Sequence, residues 1–97
     1  MDELITSAIE DKHLIEFRYH DLLRIAEPHV YGVLDGKRQL LTYQVGGQSS
    51  SGDLPNWRRV NLDEVSGLRV LDERFAGPRP RPSGKSDRFD RVIAVVK

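Results

Sequence analysis

The chain has 97 residues, with 15 Lys and Arg against 15 Asp and Glu and a formal net charge of zero; that fits one small domain and argues against a basic coat for non-specific duplex binding. It contains no cysteine, which excludes disulfide frameworks, thiolate zinc sites and cysteine nucleophiles. No apolar run approaches the roughly 18 residues of a membrane span, and Met1-Asp2-Glu3 is acidic where a signal peptide is basic, so the expected location is the cytoplasm, with no membrane partner.

Asp2 is a candidate N-cap, and Ile5, Ala8 and Ile9 share one face at helical spacing, which predicts a short helix from about 3 to 11. The period then changes to two. Ile15, Phe17 and Tyr19 alternate with Glu16, Arg18 and His20 as in a half-buried strand, and a turn at about 20–23 leads into a second run, Arg24 to Leu34. Pro28 within that run points to an edge position or a bulge. Asp35-Gly36 between two extended runs is a strong hairpin signal and starts a third strand, Arg38 to Val45. Gly46 to Asp53 reads as a loop with no core anchor, and the whole 46–56 stretch is long enough to be either a spacer or a lid, the spacer being preferred for its Gly and Ser content. Trp57 to Leu62 is a fourth strand, 63–66 a tight turn or single helical turn, and Leu68 to Leu71 a fifth strand, with Phe75 closing the body.

These elements predict a mainly β protein. Five short strands and an N-terminal helix best hide their edges as a small, bent SH3-like or Sm-like barrel, with the helix over one open end. Ile15, Phe17, Leu40, Val60, Leu62, Val65, Leu68 and Val70 are the expected core. Residues 1–76 form the predicted domain, 77–90 a Pro-, Arg- and Gly-rich linker of polyproline type, and 91–97 an apolar segment. Charge divides along the same line, with a net of −4 over 1–75 and +4 over 76–97. Val92-Ile93-Ala94-Val95-Val96 must be hidden. The expected solution is an edge strand over 91–96, on its own sheet or on that of a neighbour in a homodimer, with the tail held by general charge attraction and no specific salt bridge. A helix from about Ser86 is the less favoured alternative because of the β-branching.

Catalytic signals are weak. His13, His20 and His29 form no metal pattern, Ser49, Ser50 and Ser51 lack a positioned base, and the adjacent carboxylates Asp63-Glu64 and Asp72-Glu73 point apart on an extended chain. No catalytic residue, metal or cofactor is expected. The informative pattern is arginine interleaved with aromatics: Arg18-Tyr19, Arg24, His29 with Tyr31, Arg38, Tyr43-Gln44 and Trp57-Arg58-Arg59. Arginine offers a bidentate fork for phosphate and aromatic rings offer stacking faces for bases. The alternative, that the aromatics are core and the arginines solvated, stays open on residue chemistry alone.

A helix followed by Phe17-x-Tyr19 and Arg24-x-x-Glu27-Pro28 resembles the opening of the WYL domain family. Arg58-Arg59-Val60-Asn61-Leu62-Asp63-Glu64-Val65 resembles the family's closing stretch, and Leu68 to Phe75 its terminal strand. The naming Trp-Tyr-Leu is replaced by Arg38-Gln39-Leu40, the second arginine of the closing stretch by Glu64, and the 46–56 loop is longer than usual. The resemblance implies a divergent, stand-alone short member without the winged helix-turn-helix of bacterial WYL regulators. It further implies an Sm-like barrel and a regulatory, ligand-sensing module for a nucleotide or single-stranded nucleic acid. Tyr19, Arg24 and Arg58 match family positions that line or support the binding face, while Arg38, Tyr43 and Trp57 join the candidate site on local chemistry. Arg24 is read as a ligand contact, with a salt bridge to Glu27 or Glu16 as the alternative; Tyr19 is read as core packing, and Arg58 is left open. A protein-interaction module working through sheet edges or Pro78-Arg79-Pro80-Arg81-Pro82 is the competing function, and a small hydrolase ranks last.

Overall fold

A computed structural model describes residues 1–49, 52–81 and 88–97. Its elements are one helix, α1 (Asp2–Asp11), and six strands: β1 (His13–Tyr19), β2 (Leu22–Leu34), β3 (Lys37–Gly47), β4 (Asn56–Asn61), β5 (Val65–Arg74) and β6 (Arg91–Val95), with a 3-10 turn at Leu62–Glu64. All pairings are antiparallel, in the order β4-β3-β2-β1-β5, and β6 adds to β2. The protein is mainly β as expected, but with six strands rather than five. The sheet is open, because β4 and β5 end the strand order without pairing to each other, so no barrel closes. No helix among the described residues is long and apolar enough to cross a membrane.

The thirteen residues of β2 organise the sheet. Along one edge its first part pairs with β1, from Ala26 back to Leu22, and its second part with β6, from Val30 to Val33. Along the other edge it runs beside β3 from Arg24 to Leu34. Pro28 therefore sits in a central strand, but in the gap between its β1 and β6 pairings, where only β3 lies beside it. Its missing N–H is accommodated by the second expected device, a register shift between Pro28 and Val30, which leaves His29 opposite no β3 residue. The hairpin forms where expected: Asp35 and Gly36 both have positive φ, 52° and 77°, which matches the twist of the flanking strands.

α1 buries Ile5, Ala8 and Ile9 and ends on Lys12 in left-handed conformation. Asp2 is not its cap. Met1 holds that position, and the Asp2 carboxylate instead accepts hydrogen bonds from the Tyr31 hydroxyl and from Arg38. Burial, reinforced by Asp2, pushes the Tyr31 hydroxyl up to about 12. Of the expected core, Ile15, Phe17, Leu40, Val60 and Leu62 are buried, and Val65, Leu68 and Val70 pack partly buried at its margin. Tyr31 and Ala26 join it unforeseen, and of the apolar run expected to be hidden Val96 is buried in the core and Ala94 packs against it, whereas Val92, Ile93 and Val95 stay exposed on β6.

β3 is longer than its sequence suggests. Gly46 and Gly47 pair with Ile25 and Arg24, and Gln48 continues the contact by donating its N–H to the Leu23 carbonyl at 2.6 Å. The expected loop thus starts two residues late and is tied at its root, while Ser50 and Ser51 lie outside the described residues. Gly47 has φ 83°, and a Cβ there would lie 2.9 Å from the Arg24 Cα, so only glycine fits this approach.

The other face of β3 and β4 carries Gln39, Leu41, Tyr43, Trp57 and Arg59, by alternation from the core positions Leu40, Thr42 and Val60. The C-terminal segment covers this face. Arg79 stacks on Tyr43, and Phe89 lies under the Arg59 guanidinium, 4.3 Å from it. Of the expected strand 91–96, Arg91–Val95 forms β6 on its own sheet and not a helix, and Val96 just beyond it donates its N–H to the His29 carbonyl at 2.9 Å. The expectation of docking without a specific salt bridge is overturned, because Arg79 meets Glu27 at 2.8 Å. The linker expectation over 82–87 lies outside the described residues.

Candidate functional site

The six candidate residues fall in three places. Tyr19, Arg24 and Arg58 come together at one end of the core face. Arg24, only 8% exposed, is held by β2 beside the end of β1. It donates Nε and Nη2 to the Tyr19 carbonyl at 3.4 Å each and Nη1 to Gln44 Oε1 at 3.3 Å. Its guanidinium carbon lies 5.4 Å from the centre of the Tyr19 ring. Neither anticipated salt bridge forms, because Glu16 is taken by Arg69 at 2.9 Å and Glu27 by Arg79. Among the described residues no carboxylate reaches ion-pair distance of Arg24. Burial pulls its pKa below the ordinary arginine value, and the positive charge of nearby Arg58 pulls it further, against a smaller opposing effect of Tyr19.

Arg58 is half-buried on β4 and lies toward solvent from Arg24. It donates to Asp53 Oδ1 and Ser49 Oγ, each at 3.1 Å, and to the Trp57 carbonyl at 3.2 Å. Asp53 is well exposed, so this ion pair is weak and easily exchanged. Tyr19 is buried, as its core reading expected; its hydroxyl accepts the Asn61 N–H at 3.2 Å. Its contribution to the site is the backbone carbonyl that seats Arg24. Gln44 was missed as a site residue. It is buried, and its Nε2 donates to the carbonyls of Gly46 at 3.0 Å and Gln48 at 2.8 Å, which turns its oxygen toward Arg24. The signal for it is its place two residues from Thr42 on the inward face of β3, where a polar side chain must find partners.

Arg38 stands apart, exposed on β3 and paired with Asp2 at 2.8 Å. It belongs to the helix N-terminus, not to the Arg24 site. Tyr43 and Trp57 are also separate. They lie on the opposite face of the sheet, 5.2 Å apart edge to face, with the His29 ring 4.8 Å from Trp57. Among the described residues no group of three or more His, Asp or Glu could hold a metal. One surface groove among the described residues, of about 510 Å³, lies between α1 and β6.

His29 makes this outer cluster sensitive to pH. It is 1% exposed, its Nε2 lies 2.9 Å from Glu27 Oε1, and its Nδ1 has no partner among the described residues. Burial holds it below the ordinary value of 6.5 despite the neighbouring Glu27. The folded state therefore binds this proton less readily than the unfolded chain, and stability present above about pH 6.5 is lost as the pH falls toward the depressed folded value. Thermal melts are expected to show lower stability at pH 5.5 than at pH 7, by up to about 1.4 kcal/mol for this one proton. His29→Gln is expected to remove most of that dependence; an unchanged profile would assign the dependence to another group.

Glu27 contributes in a lower range. Burial pushes its carboxyl up, but hydrogen bonds from Arg79 and His29 outweigh this and hold it below 4.5. Its contribution is present above that value and disappears below it.

Comparison with protein-family models, with curated proteins and with solved structures finds no match to this chain.

Proposed function

We propose that this protein is a WYL-like ligand-sensing module that binds a phosphate-bearing ligand, a nucleotide or single-stranded nucleic acid, through Arg24 and Arg58. The observation that carries the reading is a buried guanidinium with no carboxylate partner among the described residues, set beside a second guanidinium. Burying a cation without an anion is unfavourable, and two adjacent cations add repulsion. An incoming phosphate relieves both. Arg58, nearer to solvent, makes the outer contact by exchanging Asp53 for the ligand, and Arg24, oriented by Gln44 and the Tyr19 carbonyl, completes the cradle.

Titration with short single-stranded oligonucleotides and with linear and cyclic nucleotides, at low and moderate salt, tests this. Arg24→Ala is expected to weaken binding at least about tenfold, since a charge-assisted contact contributes about 1.5–3 kcal/mol. Asp53→Asn is expected to strengthen it by removing the competing anion. Absence of binding by all of these ligands, or unchanged affinity in Arg24→Ala, removes the reading.

A protein-interaction function is favoured by one observation, the exposed Val92, Ile93 and Val95 on the outer strand β6, which suit edge pairing with a second copy. The Pro-Arg segment, in contrast, already engages its own sheet through Arg79.

A further inference from the structure

The contact between Arg79 and the outer face has the construction of a recognition site. Glu27 is a carboxylate with only 4% of its side chain exposed, and it receives Arg79 Nε at 2.8 Å on one oxygen and Nη2 at 2.9 Å on the other. This is the fork geometry that distinguishes arginine from lysine. The Arg79 guanidinium carbon lies 4.4 Å from the centre of the Tyr43 ring, which is braced edge to face by Trp57. His29 holds the Glu27 carboxylate from the protein side. The seat is thus assembled entirely from β2, β3 and β4, and the guanidinium comes from elsewhere.

The occupant is the solvent-facing partner of the pair. Arg79 is 44% exposed, against 4% for Glu27. It is flanked by Pro78 and Pro80, which have no N–H to offer the sheet, so the side chain carries the contact. Phe75, before it, is fixed to Lys12, and β6, after it, is fixed to β2, so Arg79 can leave without unfolding either anchor.

We propose that Glu27, Tyr43 and His29 form an arginine-recognition site on the outer face of the sheet, which Arg79 occupies in cis as a latch and which a proline-flanked arginine segment of a partner protein takes when the latch is open. The commitment to such a segment rests on the occupant already seated: an extended Pro-Arg-Pro whose guanidinium meets both a buried carboxylate and a ring face. Tethering gives the cis arginine an effective concentration on the order of millimolar, so a partner segment of equal affinity must exceed that concentration, or bind more tightly, to displace it. This inference concerns the opposite face from Arg24 and Arg58 and does not depend on their ligand.

The probe is an acetylated, amidated peptide copying residues 77–81, and the reporter is the fluorescence of Trp57, the only tryptophan of the chain. Arg79→Ala is expected to bind this peptide saturably and the unaltered protein at least about tenfold more weakly, because its own arginine competes. A peptide with lysine in place of both arginines is expected to bind Arg79→Ala at least about tenfold more weakly than the arginine peptide. Adding Tyr43→Ala to Arg79→Ala is expected to abolish the response. Should Arg79→Ala fold poorly, Arg79→Lys keeps a positive charge near Glu27 and is expected to bind the peptide with intermediate affinity. A folded Arg79→Ala or Arg79→Lys protein that shows no saturable response, or equal response to the two peptides, reduces the contact to a structural strap and overturns the proposal. A dimer that becomes monomeric on Arg79→Ala gives the seat to a second copy and overturns the cis latch.

Discussion

Removal of residues 84–97 is expected to destabilise the protein by about 4 kcal/mol or more, leaving it marginal or insoluble. Two losses combine. Val96, a buried member of the main core, contributes about 1.5–3 kcal/mol by burial alone, and Ala94 packs beside it. The ladder from Val30 to Val33 loses its β6 partners, each hydrogen bond contributing about 0.5–1.5 kcal/mol, and part of the β2 edge is left bare. Against a total stability of about 5–15 kcal/mol for a domain of this kind, that is a large share. Denaturant midpoints and solution mass check it, and an unchanged midpoint would make the strand dispensable. Gly32→Ala is the point version. A Cβ there would lie within contact radius of the Arg91 carbonyl oxygen and 2.7 Å from the Phe89 ring, and backbone cannot give way as a flexible side chain does. A loss of about 1–3 kcal/mol is expected, with faster amide exchange confined to β6.

Arg24→Met is expected to change stability and binding in opposite directions. Methionine fills a similar volume without a charge, so the substitution removes a desolvated cation and its repulsion with Arg58. The hydrogen bonds given up are long, 3.3–3.4 Å, and go to neutral acceptors. The expected gain is about 1–2 kcal/mol in denaturant unfolding, together with at least a tenfold loss of affinity for the phosphate-bearing ligand. A destabilised Arg24→Met protein would make this arginine a structural group whose hydrogen bonds outweigh its burial, and the anion-site reading would lose its main support.

Local periodicity and turn chemistry carried much of the fold. The 3-4 spacing of Ile5, Ala8 and Ile9 located α1, the alternation around Phe17 located β1, and Asp35-Gly36 located the β2–β3 hairpin. Each of these is a property of a few neighbouring residues. Asp2 was misread because a capping residue and a residue awaiting a distant partner look alike in sequence; its partners, Tyr31 and Arg38, are about thirty positions away. Strand ends at Gly46-Gly47 were misread for a similar reason. Glycine is a poor strand former by itself, and its pairing here depends on how closely the Leu23–Arg24 backbone approaches.

The candidate site divides along the same line. Sequence placed the candidate arginines and aromatics on strands, and the structure has them there. Which of them meet is a question of faces and registers, and these are non-local. Alternation along β3 and β4 sends Arg58 inward toward Arg24 and sends Tyr43 and Trp57 outward. The bulge between Pro28 and Val30 leaves His29 unpaired against β3, and the ring lies beside Trp57 and Phe75. The +4 charge of the tail was visible in composition, but the Arg79–Glu27 contact joins residues 52 positions apart and depends on where the tertiary fold lays the tail across the sheet. Sequence by itself thus determined the class of the fold, its helix and its hairpin, because those follow from residues close along the chain. The tertiary structure alone decided that the sheet stays open, that Arg24 meets no carboxylate among the described residues and that the tail covers the outer face, because each depends on which distant strands share an edge.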